Sequence, residues 1–178
     1  MSIDLGLDER GKALRFCARF CAWLGGMALL FPWVDVVMAR LHLLPVAAVA
    51  GILMGLAGVG VDLDTSTVAS GHATLEIGRV TYLVTHACTG IYALVLLIAA
   101  VMAYPCSGAD RLRGFALGIP ALCAFGALRL FVLGIIAQLQ PAWIDLFHEY
   151  IMEVVSVAFV LYVWIHWIDR IVAPPSHN

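Results

Sequence analysis

The segment GFALGIPALCAFGALRLFVLGIIA, residues 114–137, decides the fold of this chain. It is longer than the roughly 20 residues that an apolar helix needs to cross a bilayer. A single ionisable residue, Arg129, lies deep inside it. Charged groups at that depth are costly to bury and usually mark a functional site. The segment therefore predicts a membrane-spanning helix that carries one functional cation.

The composition extends this prediction to the whole chain. Of the 178 residues, 63% are hydrophobic and 12% are charged, whereas soluble domains carry about 25% charged residues. The net charge of −2, with no basic stripe, gives no support to a nucleic-acid partner. We therefore expect one all-α integral membrane domain over residues 1–178, surrounded by membrane lipids. The sequence does not indicate its oligomeric state.

Three other segments are candidates for crossing the membrane. Residues 88–105 and 148–168 are as clearly apolar as residues 114–137, and a fourth candidate covers residues 14–38. The run 44–60 is apolar but short and rich in glycine. We expect a helical bundle of about four transmembrane helices, with residues 44–60 forming one interfacial or re-entrant segment.

Basic residues set the expected orientation, because arginine and lysine near segment ends favour the cytoplasmic side. They cluster between residues 10 and 19 and again at Arg111 and Arg113. Both basic clusters can lie on the same side of the membrane only if residues 44–60 do not cross it. We expect a cytoplasmic tail over residues 1–13, a first apolar segment that is retained as an anchor, and a multi-pass protein of the cytoplasmic membrane.

This orientation places residues 61–87 in an extracytoplasmic loop. Polar and apolar residues alternate from Thr74 to Val80, after a Ser70-Gly71 turn signal. The pattern predicts a short β-hairpin that rests on the membrane surface. Its last strand leads directly into Cys88, and residues 88–170 then form the helices that carry the chemistry.

Topology brings three ionisable residues from separate segments to one membrane depth. Cys88 heads its helix at the outer side, and His148 opens the last helix after a short outer loop. Arg129 lies about 24 Å beyond Arg113 along an inward-to-outward helix. A cation or a helix N-terminus favours a cysteine thiolate, an imidazole can carry the thiol proton, and a fixed cation can stabilise an oxyanion. The three residue types predict cysteine nucleophile chemistry.

Other interpretations of the same residues remain open. A cysteine in an apolar segment is often only a small buried hydrophobe. Arg129 can fix helix register by pairing with Glu149 or Glu153, which would make the protein a non-enzymatic membrane assembly or scaffold factor. His86, two residues before Cys88, is a competing base that we rank below His148.

Metal and cofactor sites receive little support. Cys17 and Cys21 are four residues apart, but they lack the two further ligands that zinc requires. A haem or copper site would need His86, His148 and His166, and the last two are predicted at opposite sides of the membrane. We therefore expect no metal and no cofactor.

Four motifs resemble the exosortase/archaeosortase family. They are ACTGIYALVLLIAAVMAYP from residue 87, RLRG from residue 111, ALRL from residue 127 and FHEY from residue 147. The resemblance extends over residues 60–170, and the length is similar to that of the short exosortase H type. The family commonly carries asparagine three residues before its arginine, where this chain has Gly126.

The resemblance implies a membrane-embedded cysteine protease/transpeptidase whose active site faces the periplasmic or extracytoplasmic side. Carried over by motif, Cys88 resembles the nucleophile, Arg129 the family arginine and His148 the family histidine. Such an enzyme cleaves the C-terminal sorting signal of a secreted substrate protein, made of a short motif, a transmembrane helix and a basic tail. It transfers the product through a thioester acyl-enzyme.

Overall fold

The computed structural model describes residues 2–77 and 80–172. For residues 2–9 and for Val80 it describes only the backbone. The first helix, α1, runs over Ser2–Met38 and continues through a π-helical turn, Ala39–Leu43, into α2, Leu44–Leu56. A one-turn helix α3, His86–Thr89, precedes α4, Ile91–Ala103. The longest uninterrupted helix after α1 is α5, Gly108–Leu139.

The last helical run begins with a 3₁₀ turn, Pro141–Trp143, and a π-helical segment, Leu146–Ile151. It continues as α6, Met152–Trp167, and ends in a second π-helical segment, Ile168–Val172. In the part of the chain that the structure describes, three helical runs are long and apolar enough to cross a membrane: Arg10–Leu56, Gly108–Leu139 and Pro141–Val172. Helix α4 is apolar but shorter. The predicted helical architecture, with long apolar helices, is confirmed.

Residues 44–56 extend α1 and do not reverse its direction. Helix α2 runs alongside α5, with Val46 against Gly126 and Met54 against Gly134. At the other end of α1, Phe16 contacts the rings of Tyr104 and Trp164. The N-terminal basic cluster and the basic turn after α4 therefore lie at the same end of the bundle.

The segment that follows α2 forms a three-stranded antiparallel sheet in the order β1-β2-β3. The strands are β1, Val61–Asp64, β2, Ala73–Ile77, and β3, Val80–Val84. Strands β2 and β3 correspond to the predicted hairpin, whose connecting residues 78 and 79 lie outside the described residues. Strand β1 was not predicted; its residues Val61 and Leu63 pack against the core formed by α2, α5 and the sheet.

The sheet covers one end of the helices and does not lie apart from them. Leu75, Ile77 and Val84 are buried in one apolar cluster with residues of α2 and α5. A second apolar cluster joins α4, α5 and α6. Since α5 contributes to both clusters, it is the central helix, and it connects the sheet end to the basic end.

Candidate functional site

Cys88 lies on the short turn that joins the sheet to the helices. The turn α3 ends at Gly90, whose φ of +79° is in the left-handed region that glycine adopts readily. Helix α4 starts only after this change of direction. Cys88 therefore does not head the long apolar helix, as the sequence predicted, but projects from the preceding turn. Its Sγ lies 3.5 Å from the Thr85 hydroxyl.

His148 faces the thiol from the last helical run. Its Nε2 lies 3.2 Å from Cys88 Sγ, although 60 residues separate the two in sequence. His148 belongs to the π-helical segment Leu146–Ile151, and π-helical turns are frequent at functional sites. A thiol and an imidazole at this distance can exchange a proton directly.

Arg129 lies behind His148 and makes no hydrogen bond to Cys88 among the described residues. Its Nη2 donates to the His148 carbonyl at 3.4 Å and to Glu153 Oε1 at 2.9 Å. Its Nη1 donates to Ser156 Oγ at 3.1 Å. The arginine is 2% exposed, so its charge depends on these partners. The guanidinium therefore contacts the backbone of His148 and not the sulfur of Cys88.

Gly126 lets the Cys88 turn lie directly on α5. A Cβ at this position would be 2.2 Å from the Thr89 carbonyl oxygen, and a backbone atom cannot move aside as a flexible side chain can. The asparagine that the family resemblance leads one to expect here would displace the turn. Glu153 and Ser156 supply the polar partners of Arg129.

His42 holds the same turn from the other side, and sequence reasoning did not identify it. The residue is 5% exposed and belongs to the π-helical turn Ala39–Leu43. Its Nε2 lies 3.3 Å from the Thr89 carbonyl, and its Nδ1 lies 3.7 Å from Cys123 Sγ. A neutral imidazole that donates to the carbonyl leaves Nδ1 free to accept from the thiol. The available signal was an ionisable residue within a long apolar run.

The competing base, His86, is directed toward α1. Its Nε2 is 2.8 Å from Asp35 Oδ1, an ion-pair distance without the alignment of a hydrogen bond, and its ring meets Phe31 edge-on. His166 stacks on Tyr162 near the end of α6. These two histidines and His148 thus have different partners. Within residues 2–77 and 80–172, no group of three or more potential metal ligands is found.

An apolar cavity of about 100 Å³ opens beside the thiol. Cys88 and His148 form part of its wall, and the rest comes from α2, α5, the sheet and Ile144. Tyr82 is one of the lining residues, and its hydroxyl is buried without a hydrogen-bond partner among the described residues. Burial raises the pKa of Tyr82, so the hydroxyl remains protonated at neutral pH.

Comparisons with protein-family models, with curated proteins and with solved structures find no match to this chain. The resemblance to the exosortase/archaeosortase family is therefore carried only by the four motifs quoted above. The site must be interpreted from its own geometry.

Proposed function

We propose that the protein is a membrane-embedded cysteine peptidase or transpeptidase that acts at the outer face of the cytoplasmic membrane. The observation that carries this proposal is the 3.2 Å separation between Cys88 Sγ and His148 Nε2. A nucleophile next to a base, with the base oriented by a third group, is the arrangement used in covalent acyl transfer. Arg129 provides that third group through the His148 carbonyl.

The reaction follows from these positions. His148 takes the proton of Cys88, and the thiolate attacks the carbonyl carbon of the scissile peptide. The resulting tetrahedral intermediate collapses, and the imidazolium gives its proton to the leaving amine. The remaining acyl group is a thioester on Cys88. His148 then deprotonates a second amine or a water molecule, which attacks the thioester and restores the thiol.

The location of the site supports a substrate that is itself anchored in the membrane. Cys88 lies before the first residue of α4, and the turn that contains Pro105 lies after its last residue, close to Arg15. The thiol is therefore at the opposite end from both basic clusters, the end expected to face outward. A substrate with a short motif, a transmembrane helix and a basic tail would present the motif at the depth of Cys88.

The reactivity of Cys88 tests this proposal without a known substrate. The full chain in detergent is alkylated with iodoacetamide at pH 7, and the modification of each cysteine is followed by peptide mass spectrometry. Cys106, which is also half-buried, is the internal reference. We expect His148→Ala to slow alkylation of Cys88 at least about tenfold relative to Cys106, because the base that takes the thiol proton is lost.

A half-buried histidine in the loop before β2 supplies the matched control. The side chain of His72 hydrogen-bonds to the nearby Ser70 carbonyl and to no other described residue, so His72→Ala should leave both alkylation rates unchanged. Equal Cys88 rates in the wild-type protein and in His148→Ala would contradict the proposal.

A second candidate, a membrane scaffold, is favoured by the ion pair between Arg129 and Glu153. The pair joins α5 to α6 at 2.9 Å, and polar contacts between helices can fix their pairing within a membrane. In a scaffold, Cys88 and His148 would contact each other only through packing. The alkylation experiment separates the two functions, since a scaffold requires no activated thiol.

A further inference from the structure

Strand β3 is one of the two edge strands of the sheet and leads directly into the Cys88 turn. The strand pairs with β2 on one side, and no described strand lies on its other side. In an antiparallel sheet, residues that bond to the partner strand alternate with residues whose backbone groups point away from it. An edge of this kind can accept an additional extended strand.

The Leu83 carbonyl belongs to the outward set. Its oxygen is 4.0 Å from Cys88 Sγ, so it faces the thiol side of the strand and not β2. Thr81, two residues earlier, has the same backbone orientation. The side chain of Leu83 is 58% exposed. The outward backbone groups of β3 therefore lie beside the thiol, and in the structure the Leu83 carbonyl accepts a long hydrogen bond from Cys88 Sγ.

The cavity beside Cys88 has the character of a side-chain pocket. Its volume is about 100 Å³, smaller than the roughly 150 Å³ of an apolar cavity that binds benzene. Apart from Cys88, His148 and Tyr82, its lining consists of aliphatic side chains together with Met54 and Gly134. A branched aliphatic side chain fits this size and chemistry, and a charged one does not.

We propose that the substrate peptide binds as a fourth strand along β3 and places an aliphatic side chain in the cavity next to Cys88. This inference rests on the proposed peptidase function and names the class of peptide that the site takes. Backbone groups of Thr81 and Leu83 bind the peptide main chain.

Peptidyl chloromethyl ketones provide the test. The probes are acetyl-Gly-Gly-Xaa-chloromethyl ketones in which Xaa is leucine, valine, alanine, aspartate or lysine. The Cys88 thiolate displaces chloride from the chloromethyl carbon, so that a C–S bond forms and chloride leaves. Labelling of Cys88 in the full chain in detergent is followed by peptide mass spectrometry, because Cys17 and Cys21 are exposed thiols that the probes also reach. We expect the leucine and valine probes to label Cys88 about tenfold or more faster than the alanine probe, with aspartate and lysine slowest.

N-methylation of the leucine probe tests the strand geometry. Only alternate amides of an added strand face β3. Methylation at one of two successive positions should therefore slow labelling about fivefold or more, and methylation at the other should have little effect. Equal slowing at both positions, or none at either, would overturn the added strand. Equal labelling by all five side chains, or preference for a charged one, would overturn the pocket.

A cavity variant supplies an independent readout. A Cβ on Gly134 would lie 2.4 Å from Met54 Cε, and Met54 lines the cavity, so Gly134→Ala should push the thioether into the pocket. We expect this variant to lose the preference for leucine over alanine. Gly55→Ala, whose Cβ meets nothing within 4 Å, should keep the preference for leucine over alanine. If both variants keep this preference, the pocket is contradicted. Since iodoacetamide tests the thiol and the peptide series tests the pocket, the two proposals fail separately.

Discussion

Replacing Cys88 with alanine is expected to abolish processing while the protein still accumulates in the membrane. The proposed carrier of the acyl intermediate is then lost, and losses of a nucleophile in acyl transfer reach a thousandfold or, in some enzymes, about a millionfold. Cys88 is only partly buried, so alanine leaves little empty space. The measurement is the C-terminal mass of a co-produced exported protein that ends in a short motif, an apolar helix and a basic tail.

Cys106→Ala is the matched control for this prediction. Cys106 has the same burial class as Cys88 and packs against the apolar cluster at the basic end, far along α4 from the site. The Cys106→Ala variant should process the exported protein at the wild-type rate. Continued processing by Cys88→Ala would rule out Cys88 as the nucleophile.

Replacing Arg129 with alanine is expected to lower the processing rate about a hundredfold, a loss typical of a misplaced catalytic group. The guanidinium bridges the His148 carbonyl, Glu153 and Ser156. Its removal frees the π-helical segment that presents the imidazole. Arg129→Lys should lose less activity than Arg129→Ala, because the ammonium retains the positive charge. It should still be slower than the wild-type protein, because lysine lacks the planar fork of donors.

A double-mutant cycle distinguishes positioning from bulk stability. If Arg129 acts by orienting His148, alkylation of Cys88 in Arg129→Ala should fall toward the rate of His148→Ala. The double variant should then be no slower than His148→Ala alone, since residues that act together give non-additive effects. Alkylation of Cys88 at the wild-type rate in Arg129→Ala would instead assign the arginine to helix pairing.

The sequence was sufficient to predict long apolar helices over residues 114–137 and 148–168, whereas the predicted span 88–105 contains only the shorter helix α4. It also predicted that Cys88 and His148 lie at the same end of the bundle, and in the structure they are in contact. Segment length and charge near the ends carry that information. The same reasoning could not assign the role of Arg129, because membrane depth says nothing about rotation around the helix axis. In the structure that rotation directs Arg129 to the His148 carbonyl and Glu153.

Several features depend on contacts between distant residues and have no local signal. Helix α2 extends α1 through a π-helical turn, with no loop between the two helices. Its composition is also compatible with a separate membrane segment. The close contact of Gly126 with the Thr89 carbonyl becomes visible only when α3 is placed on α5. Strand β1 is only four residues long, and it forms where it pairs with β2 and its apolar residues pack against the core. His42 became interpretable only through its contact with Thr89.

Trapping the acyl-enzyme tests the central claim most directly. The full chain is mixed with an exported protein that ends in the tripartite signal, quenched in acid, and analysed by intact and peptide mass spectrometry. The account predicts an adduct on the Cys88 peptide with the mass of the N-terminal cleavage product, released by hydroxylamine and absent in Cys88→Ala. Cleavage by the wild-type protein without an adduct on Cys88, or an undiminished hydroxylamine-labile adduct in Cys88→Ala, would contradict it.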